Sequence, residues 1–146
     1  MATALTAAIL YRIILLFGYE RYTGLGISFI YGIATMAWPF AKFDFAEPLV
    51  SLFIMGGFWG FVKYIHVGSS RYTLLMALAL LGAVLTKYVA LVTVPIFFAS
   101  IVLANKYDCN SWKQCVNKSW RGLFVFLLPF VGVSLPAIVV LSLIHI

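Results

Sequence analysis

The apolar segment that constrains the fold most is residues 73–103, which read TLLMALALLGAVLTKYVALVTVPIFFASIVL. Lys87 is its only charged residue. A single helix of this length would be about 46 Å long, against a bilayer core of roughly 30 Å, and would carry Lys87 near the bilayer centre. That position costs roughly 2.5–3.5 kcal/mol on insertion scales. The segment therefore predicts a helical hairpin with a break at Lys87, its arms at about 71–86 and 88–104.

The composition of the whole chain agrees with a membrane location. Of its 146 residues, 64% are hydrophobic and 10% are charged, whereas a soluble domain has roughly 45–50% and about 25%. Too few charges are present to cover a surface that faces water, which excludes an ordinary soluble domain, a disordered chain and a nucleic-acid binder. We expect one all-α membrane domain, residues 1–146, folded as a polytopic transmembrane helix bundle of about six spans. The expected spans are about 2–18, 23–40, 48–65, 71–86, 88–104 and 122–146, and 110–121 is either an interfacial helix or a plain loop.

The basic residues divide unequally between the two sides of this topology. One side receives eight of them: Arg12, Arg21, Lys63, Arg71, Lys106, Lys113, Lys118 and Arg121. The other side receives only Lys42 and Lys87. The positive-inside rule makes the first side cytoplasmic, and a single helix through 73–103 would weaken this bias. The extracytoplasmic face then carries a small polar set: Trp38, Lys42, Asp44, Glu47 and Lys87.

Two parts of this polar set leave more than one interpretation open. The stretch from Lys42 to Glu47 places a cation and two carboxylates at a membrane edge, where they can bind a phosphate and a sugar or act as acid and base. A solvated loop between two spans would have the same composition. Lys87 at the tip of the hairpin either holds a lipid phosphate as a point charge or extends to the interface and fixes the depth of the helix.

Small residues and cysteines suggest structure rather than chemistry. Gly56, Gly57 and Gly60 form one small-residue face and Ser28 with Gly32 forms another, as is common where membrane helices pack. The two cysteines, Cys109 and Cys115, lack the neighbouring His or Cys that a four-ligand zinc site requires. The sequence indicates no particular cofactor; a divalent metal is compatible with it but is not indicated by any set of ligands.

One run of residues is similar to a known group of membrane enzymes. YGIATMAWPF at 31–40, followed by FAEPL at 45–49, resembles the third and fourth spans of polyprenyl-phosphate-sugar-dependent membrane glycosyltransferases. That superfamily includes the protein O-mannosyltransferases and the lipid A aminoarabinose transferases. Lys42 and Glu47 match its basic residue followed by a helix-opening acid, although the family more often has Arg and Asp.

A second run strengthens the resemblance. GAVLTKY at 82–88, followed by Leu91 and Pro95, is similar to the family's Gly–Leu–Thr–Lys…Leu…Pro stretch. The two runs occur in the family's order, about 40 residues apart, and together the resemblance covers roughly residues 10–105.

The resemblance implies a C-type glycosyltransferase fold, an all-helical bundle in a cell membrane of a prokaryote, with its active site on the extracytoplasmic face. The implied partners are membrane lipids and a donor sugar carried on dolichyl or undecaprenyl phosphate. Lys87 and Lys42 would bind the leaving phosphate, with Trp38 beside the substrate. Glu47 would be a catalytic acid that binds the sugar or acceptor, with Asp44 as the alternative.

The resemblance also implies that this chain is an internal fragment. The family's first catalytic acid lies in the external loop between its first two spans. This chain is expected to begin at the second span, so that acid would be missing and we expect the fragment to be inactive alone. A transporter or channel fragment and a non-catalytic membrane subunit are alternatives. Transporters keep their ionisable residues within spans near the midplane, whereas the acids here cluster at a span edge, which favours the enzyme.

Overall fold

The computed structural model describes residues 1–34, 46–107, 120 and 122–133. Every regular element in these ranges is helical, so the expected all-α class is confirmed for them. The elements are α1 (Ala2–Leu16), α2 (Arg21–Ala34), α3 (Ala46–Val67), α4 (Ser70–Thr86), a short 3-10 helix (Tyr88–Val92), α5 (Thr93–Tyr107) and α6 (Gly122–Val133). Trp38, Lys42, Asp44, both cysteines and nearly all of the 110–121 segment lie outside the described residues.

Two helical stretches in the described ranges are long and apolar enough to cross a membrane. They are α3, with 22 residues, and the continuous stretch Tyr88–Asn105, with 18 residues. α1, α4 and α6 are apolar but shorter. Large apolar side chains are exposed on all six α-helices; Phe29 on α2 is 68% exposed and Ile96 on α5 is 61% exposed. Water-soluble monomers rarely expose large contiguous apolar patches, so this surface suits lipid, while the count of six spans remains a prediction.

Tight turns join α1 to α2 and α3 to α4, and each depends on a glycine. Gly18 has a φ of 84° and Gly68 a φ of 69°, in the left-handed region that only glycine adopts without steric cost. The N–H of Gly68 donates to the carbonyl of Tyr64 at 2.8 Å and closes the end of α3. Ser69 then caps α4, its hydroxyl accepting from the N–H of Arg71 at 3.4 Å.

The break predicted at Lys87 is present. α4 ends at Thr86, and Lys87 is extended, with φ −151° and ψ 114°. The second arm differs from the expected helix over 88–104, because it begins as a 3-10 helix and becomes α-helical only at Thr93. Pro95 explains this, since it has no N–H to bond the carbonyl of Leu91 and its ring excludes an α-helical turn there.

Other boundaries differ slightly from the predicted ones. α2 begins at Arg21 rather than at residue 23, because the carbonyl of Glu20 already accepts the N–H of Gly24 at 3.1 Å. α3 runs from Ala46 to Val67, two residues beyond the predicted span at each end. At Gly32 the expected small-residue face does not pack, because no described residue outside its own part of α2 comes within 4 Å of a Cβ built there.

The main core lies where α3, α4, α5 and α6 meet. Its buried members are Tyr64, Met76, Ala77, Leu80, Phe97, Ile101 and Phe126. One buried polar contact crosses it, because the hydroxyl of Tyr64 donates to Oδ1 of Asn105 at 2.6 Å. α1 packs on α2 and α3 outside this core.

Candidate functional site

Lys87 owes its position to the helix break. The N–H of Lys87 still bonds to the carbonyl of Ala83 at 2.9 Å, and its own carbonyl accepts the N–H of Ala90 at 2.9 Å. The side chain of Thr86 bonds back to the carbonyl of Gly82 at 2.8 Å. The backbone around Lys87 is therefore satisfied on both sides of the break, and its ammonium projects from a fixed point between α4 and the 3-10 helix.

Glu47 occupies the first turn of α3. The helix begins at Ala46 and Pro48 follows Glu47, in the first turn, where the missing N–H of proline removes no helical hydrogen bond. The free N–H groups and the macrodipole at a helix N-terminus favour a negative charge there. The start of α3 therefore favours an acidic side chain at position 47.

The structure brings Glu47 and Lys87 together. Nζ of Lys87 donates a hydrogen bond to Oε1 of Glu47, and the two residues form an ion pair across 40 positions of sequence. The side chain of Lys87 is 40% exposed and that of Glu47 is 36% exposed. Solvent reaches the pair, so we value it as a surface ion pair of about 0.2–1 kcal/mol. Such a pair is accessible to a ligand and cheap to rearrange.

Close packing between α3 and α4 sets this pairing. A Cβ at Gly60 would lie 3.2 Å from the backbone nitrogen of Met76, and one at Gly57 would lie 3.3 Å from the side chain of Leu80. These glycines let the two antiparallel backbones approach closely, as small residues do between membrane helices. The interpretation of Gly57 and Gly60 as packing residues is confirmed.

The same alignment of α3 with α4 continues to the end of the pair that carries Glu47 and Lys87. Near the site, a Cβ at Gly82 would lie 2.9 Å from the ring of Phe53, so the aromatic ring fills the space that glycine leaves. Val50 and Ala83, about one turn from the ion pair on their respective helices, belong to a small buried cluster. These successive contacts run toward the N-terminus of α3 and the C-terminus of α4. Continued by one more turn, the same alignment of the two helices places Glu47 opposite Lys87.

The pair joins residues from both of the sequence runs that carry the family resemblance. Their common location at one end of the α3–α4 hairpin agrees with the topology expected from the charges. The direct contact between Glu47 and Lys87 is not among the features predicted from the sequence, because residue spacing alone does not show which sides of α3 and α4 face each other. The other predicted site residues, Trp38, Lys42 and Asp44, fall outside the described residues, so the site is built here from Glu47 and Lys87.

Two further features of the described residues bear on the chemistry available to this chain. No three His, Cys, Asp or Glu side chains of the described ranges lie together as metal ligands would. An open apolar groove of about 700 Å³ lies between α1 and α2, with Ala4, Tyr11 and Phe29 among its lining residues. It contains neither Glu47 nor Lys87, and its lining carries no charged side chain.

Comparison with known proteins gives no relative: no protein-family model, curated protein or solved structure matches this chain.

Proposed function

We propose that this chain is part of a multi-pass membrane glycosyltransferase that moves a sugar from a polyprenyl phosphate, dolichyl or undecaprenyl, to an acceptor. The active face would be extracytoplasmic, in a prokaryotic cell membrane. The observation that carries the proposal is the Glu47–Lys87 ion pair. A cation for a phosphate and a carboxylate for a sugar or acceptor are the two groups that this chemistry needs side by side.

The surroundings of Lys87 support a lipid phosphate rather than a water-soluble one. The residues that follow it are apolar and exposed: Tyr88 is 82% exposed, and Leu91 and Val92 are exposed as well. A phosphate bound at Lys87 would leave its attached chain beside this apolar surface, where a prenyl tail loses contact with water. A nucleotide sugar would place a polar base and ribose there instead.

The proposed reaction exchanges one bond at the anomeric carbon of the sugar. The acceptor oxygen forms a bond to C1 while the bond from C1 to the phosphate oxygen breaks, and the polyprenyl phosphate leaves with the electron pair. The acceptor proton passes to a carboxylate, a role that the resemblance gives first to an acid in an earlier loop. Lys87 would neutralise the charge that develops on the leaving phosphate, and Lys42 is the second candidate for this role. Glu47, or Asp44 in its place, would hold the sugar or acceptor.

The position of the ion pair favours an enzyme over a transporter or channel. Transporters bind their substrates near the midplane, often at broken helices inside the bilayer. Here Glu47 is the second residue of α3 and Lys87 follows the last residue of α4, so both lie at helix ends. On the proposed topology, an anion held there would lie at the membrane surface rather than halfway across.

The test measures transfer of a radiolabelled sugar from undecaprenyl phosphate or dolichyl phosphate, in membranes that contain the gene product bearing this sequence. Glu47→Gln and Lys87→Ala should each lower the rate by roughly 10²–10³, the typical cost of losing one electrostatic partner of a transition state. Glu20→Gln and Lys63→Ala change the same charges far from the site and should leave the rate near the parental value. Parental rates in both site variants, at normal membrane levels, would refute the assignment.

A further inference from the structure

In the described part of the site, one positive charge, the ammonium of Lys87, would face two negative charges, the Glu47 carboxylate and the phosphate of the donor. Lys87 is already paired with Glu47, and the proposed donor brings a phosphate to the same ammonium. The other basic residues of α3 and α4 lie near the turn at Gly68 (Lys63, His66 and Arg71). Lys63 is about 24 Å from Glu47 along the helix. A phosphate and the Glu47 carboxylate on one ammonium would leave an excess negative charge with strong mutual repulsion.

The geometry makes the carboxylate the partner that leaves easily. Glu47 is 36% exposed, so water can solvate it once it leaves Lys87. Its place in the first turn of α3 also keeps a favourable interaction with the helix N-terminus that does not depend on Lys87. The donor phosphate is a diester with one negative charge, and its oxygens accept charge-assisted hydrogen bonds from a lysine ammonium as a carboxylate does.

We infer that Glu47 and the donor phosphate are alternative partners of Lys87, so that donor binding releases the Glu47 carboxylate. This inference rests on the proposed function. The released carboxylate then lies beside the bound phosphate, where the sugar and the acceptor hydroxyl must come. Glu47 is thus held by Lys87 until a donor is present, and the order of events is donor first and acceptor second.

The sequence permits a direct test because it contains only two glutamates, Glu20 and Glu47. In a Glu20→Gln chain labelled with carbon-13 glutamate, the side-chain carboxyl signal reports on Glu47 alone. The chain is placed in phosphatidylcholine nanodiscs. The probe is farnesyl monophosphate, which presents the phosphate and the prenyl chain of the donor without its sugar, and farnesol and inorganic phosphate are separate arms. Binding is measured by calorimetry and the carboxyl resonance by nuclear magnetic resonance. The Lys87→Gln variant of the same chain gives the resonance position of an unpaired Glu47.

If the phosphate replaces Glu47 as the partner of Lys87, farnesyl monophosphate should move the Glu47 resonance to the position seen in the Lys87→Gln variant. Farnesol should not move it. Glu47→Gln should tighten farnesyl monophosphate binding about two- to sixfold, because a surface ion pair of ordinary strength no longer competes. Lys63→Gln, the matched lysine control, should not change binding. If inorganic phosphate alone moves the resonance equally at the same concentration, the exchange holds for phosphates generally and the prenyl chain adds no affinity.

The negative outcomes separate the inference from the proposed function. If farnesyl monophosphate binds, and Lys87→Gln weakens binding about tenfold or more, but the Glu47 resonance stays in place, the exchange is wrong and the phosphate site stands. Weaker binding in Glu47→Gln would also overturn the exchange, since Lys42 would then supply a second charge and hold both anions. If farnesyl monophosphate does not bind, or Lys87→Gln leaves binding unchanged, the proposed donor site fails and the exchange fails with it.

Discussion

Replacing single glycines of α3 with alanine tests whether close helix contact builds the site. A Cβ at Gly60 would lie 3.2 Å from two backbone atoms of α4, the nitrogen of Met76 and the oxygen of Tyr72, whereas a Cβ at Gly56 would meet only the Cβ of Ala79 at 3.8 Å. Both substitutions gain the same helix propensity, about 1 kcal/mol. Only Gly60→Ala pays for overpacking against atoms that cannot move aside, about 1–3 kcal/mol. The difference between the two variants therefore isolates the overpacking term.

Denaturant unfolding in detergent micelles measures this difference, and Trp59 is a suitable fluorescent reporter. Its ring packs edge-on against that of Tyr72 on α4, with centroids 6.3 Å apart, so it senses separation of α3 from α4. We expect Gly56→Ala to be at least as stable as the parent and Gly60→Ala to be less stable than Gly56→Ala by about 1–3 kcal/mol. Equal midpoints for the two variants would refute the close contact at Gly60, and with it the register that brings Glu47 to Lys87.

Three further predictions follow from particular contacts. Gly82→Val should displace the ring of Phe53, which a Cβ would approach to 2.9 Å, and should lower sugar transfer; Phe53→Ala in the same chain should restore part of that rate, and no recovery would contradict a positioning role. Tyr64→Phe removes the 2.6 Å hydrogen bond to buried Asn105 and should destabilise the fold by about 1–3 kcal/mol, measured by the same unfolding assay; an unchanged midpoint would contradict it. Ser69→Cys, in a chain without its native cysteines, should react with a membrane-impermeant maleimide only after cells are opened, and labelling in intact cells would reverse the topology.

The helix break could be predicted from the sequence because two independent costs agreed on it. Residues 73–103 are too long for one span, and Lys87 is too expensive at the bilayer centre. The 3-10 helix was not predicted, although Pro95 signals it by excluding an α-helical bond to Leu91. The start of α2 at Arg21 could not be predicted from hydrophobicity, because Glu20 and Arg21 are charged and look like part of a loop. The helix begins there because the backbone carbonyl of Glu20 accepts the N–H of Gly24.

The contact between Glu47 and Lys87 was also within reach of the sequence. Gly68 and Ser69 mark a tight turn. Glu47 lies 21 residues before Gly68 and Lys87 lies 18 residues after Ser69, so two antiparallel helices bring both residues to the same end of the α3–α4 pair. Hydrophobic patterning does not predict which sides of α3 and α4 face each other, because both helices are apolar all round. The glycines at 57, 60 and 82 indicate these sides, since close approach fixes the rotation of each helix.

The position of the Glu47–Lys87 pair therefore depends on helix length and rotation as much as on residue type. An α-helix turns by about 100° and rises 1.5 Å for each residue, so one residue more or less between Gly82 and Lys87 would carry the ammonium to a different face of α4. The glycine contacts hold the register from the turn upward, and the break after Thr86 releases Lys87 from the helical repeat where its side chain must reach Glu47. An exposed ion pair contributes little to stability, which means that the packing places the pair and the pair does not hold the helices together. The small contribution of the pair to stability is consistent with the binding role that we propose for it.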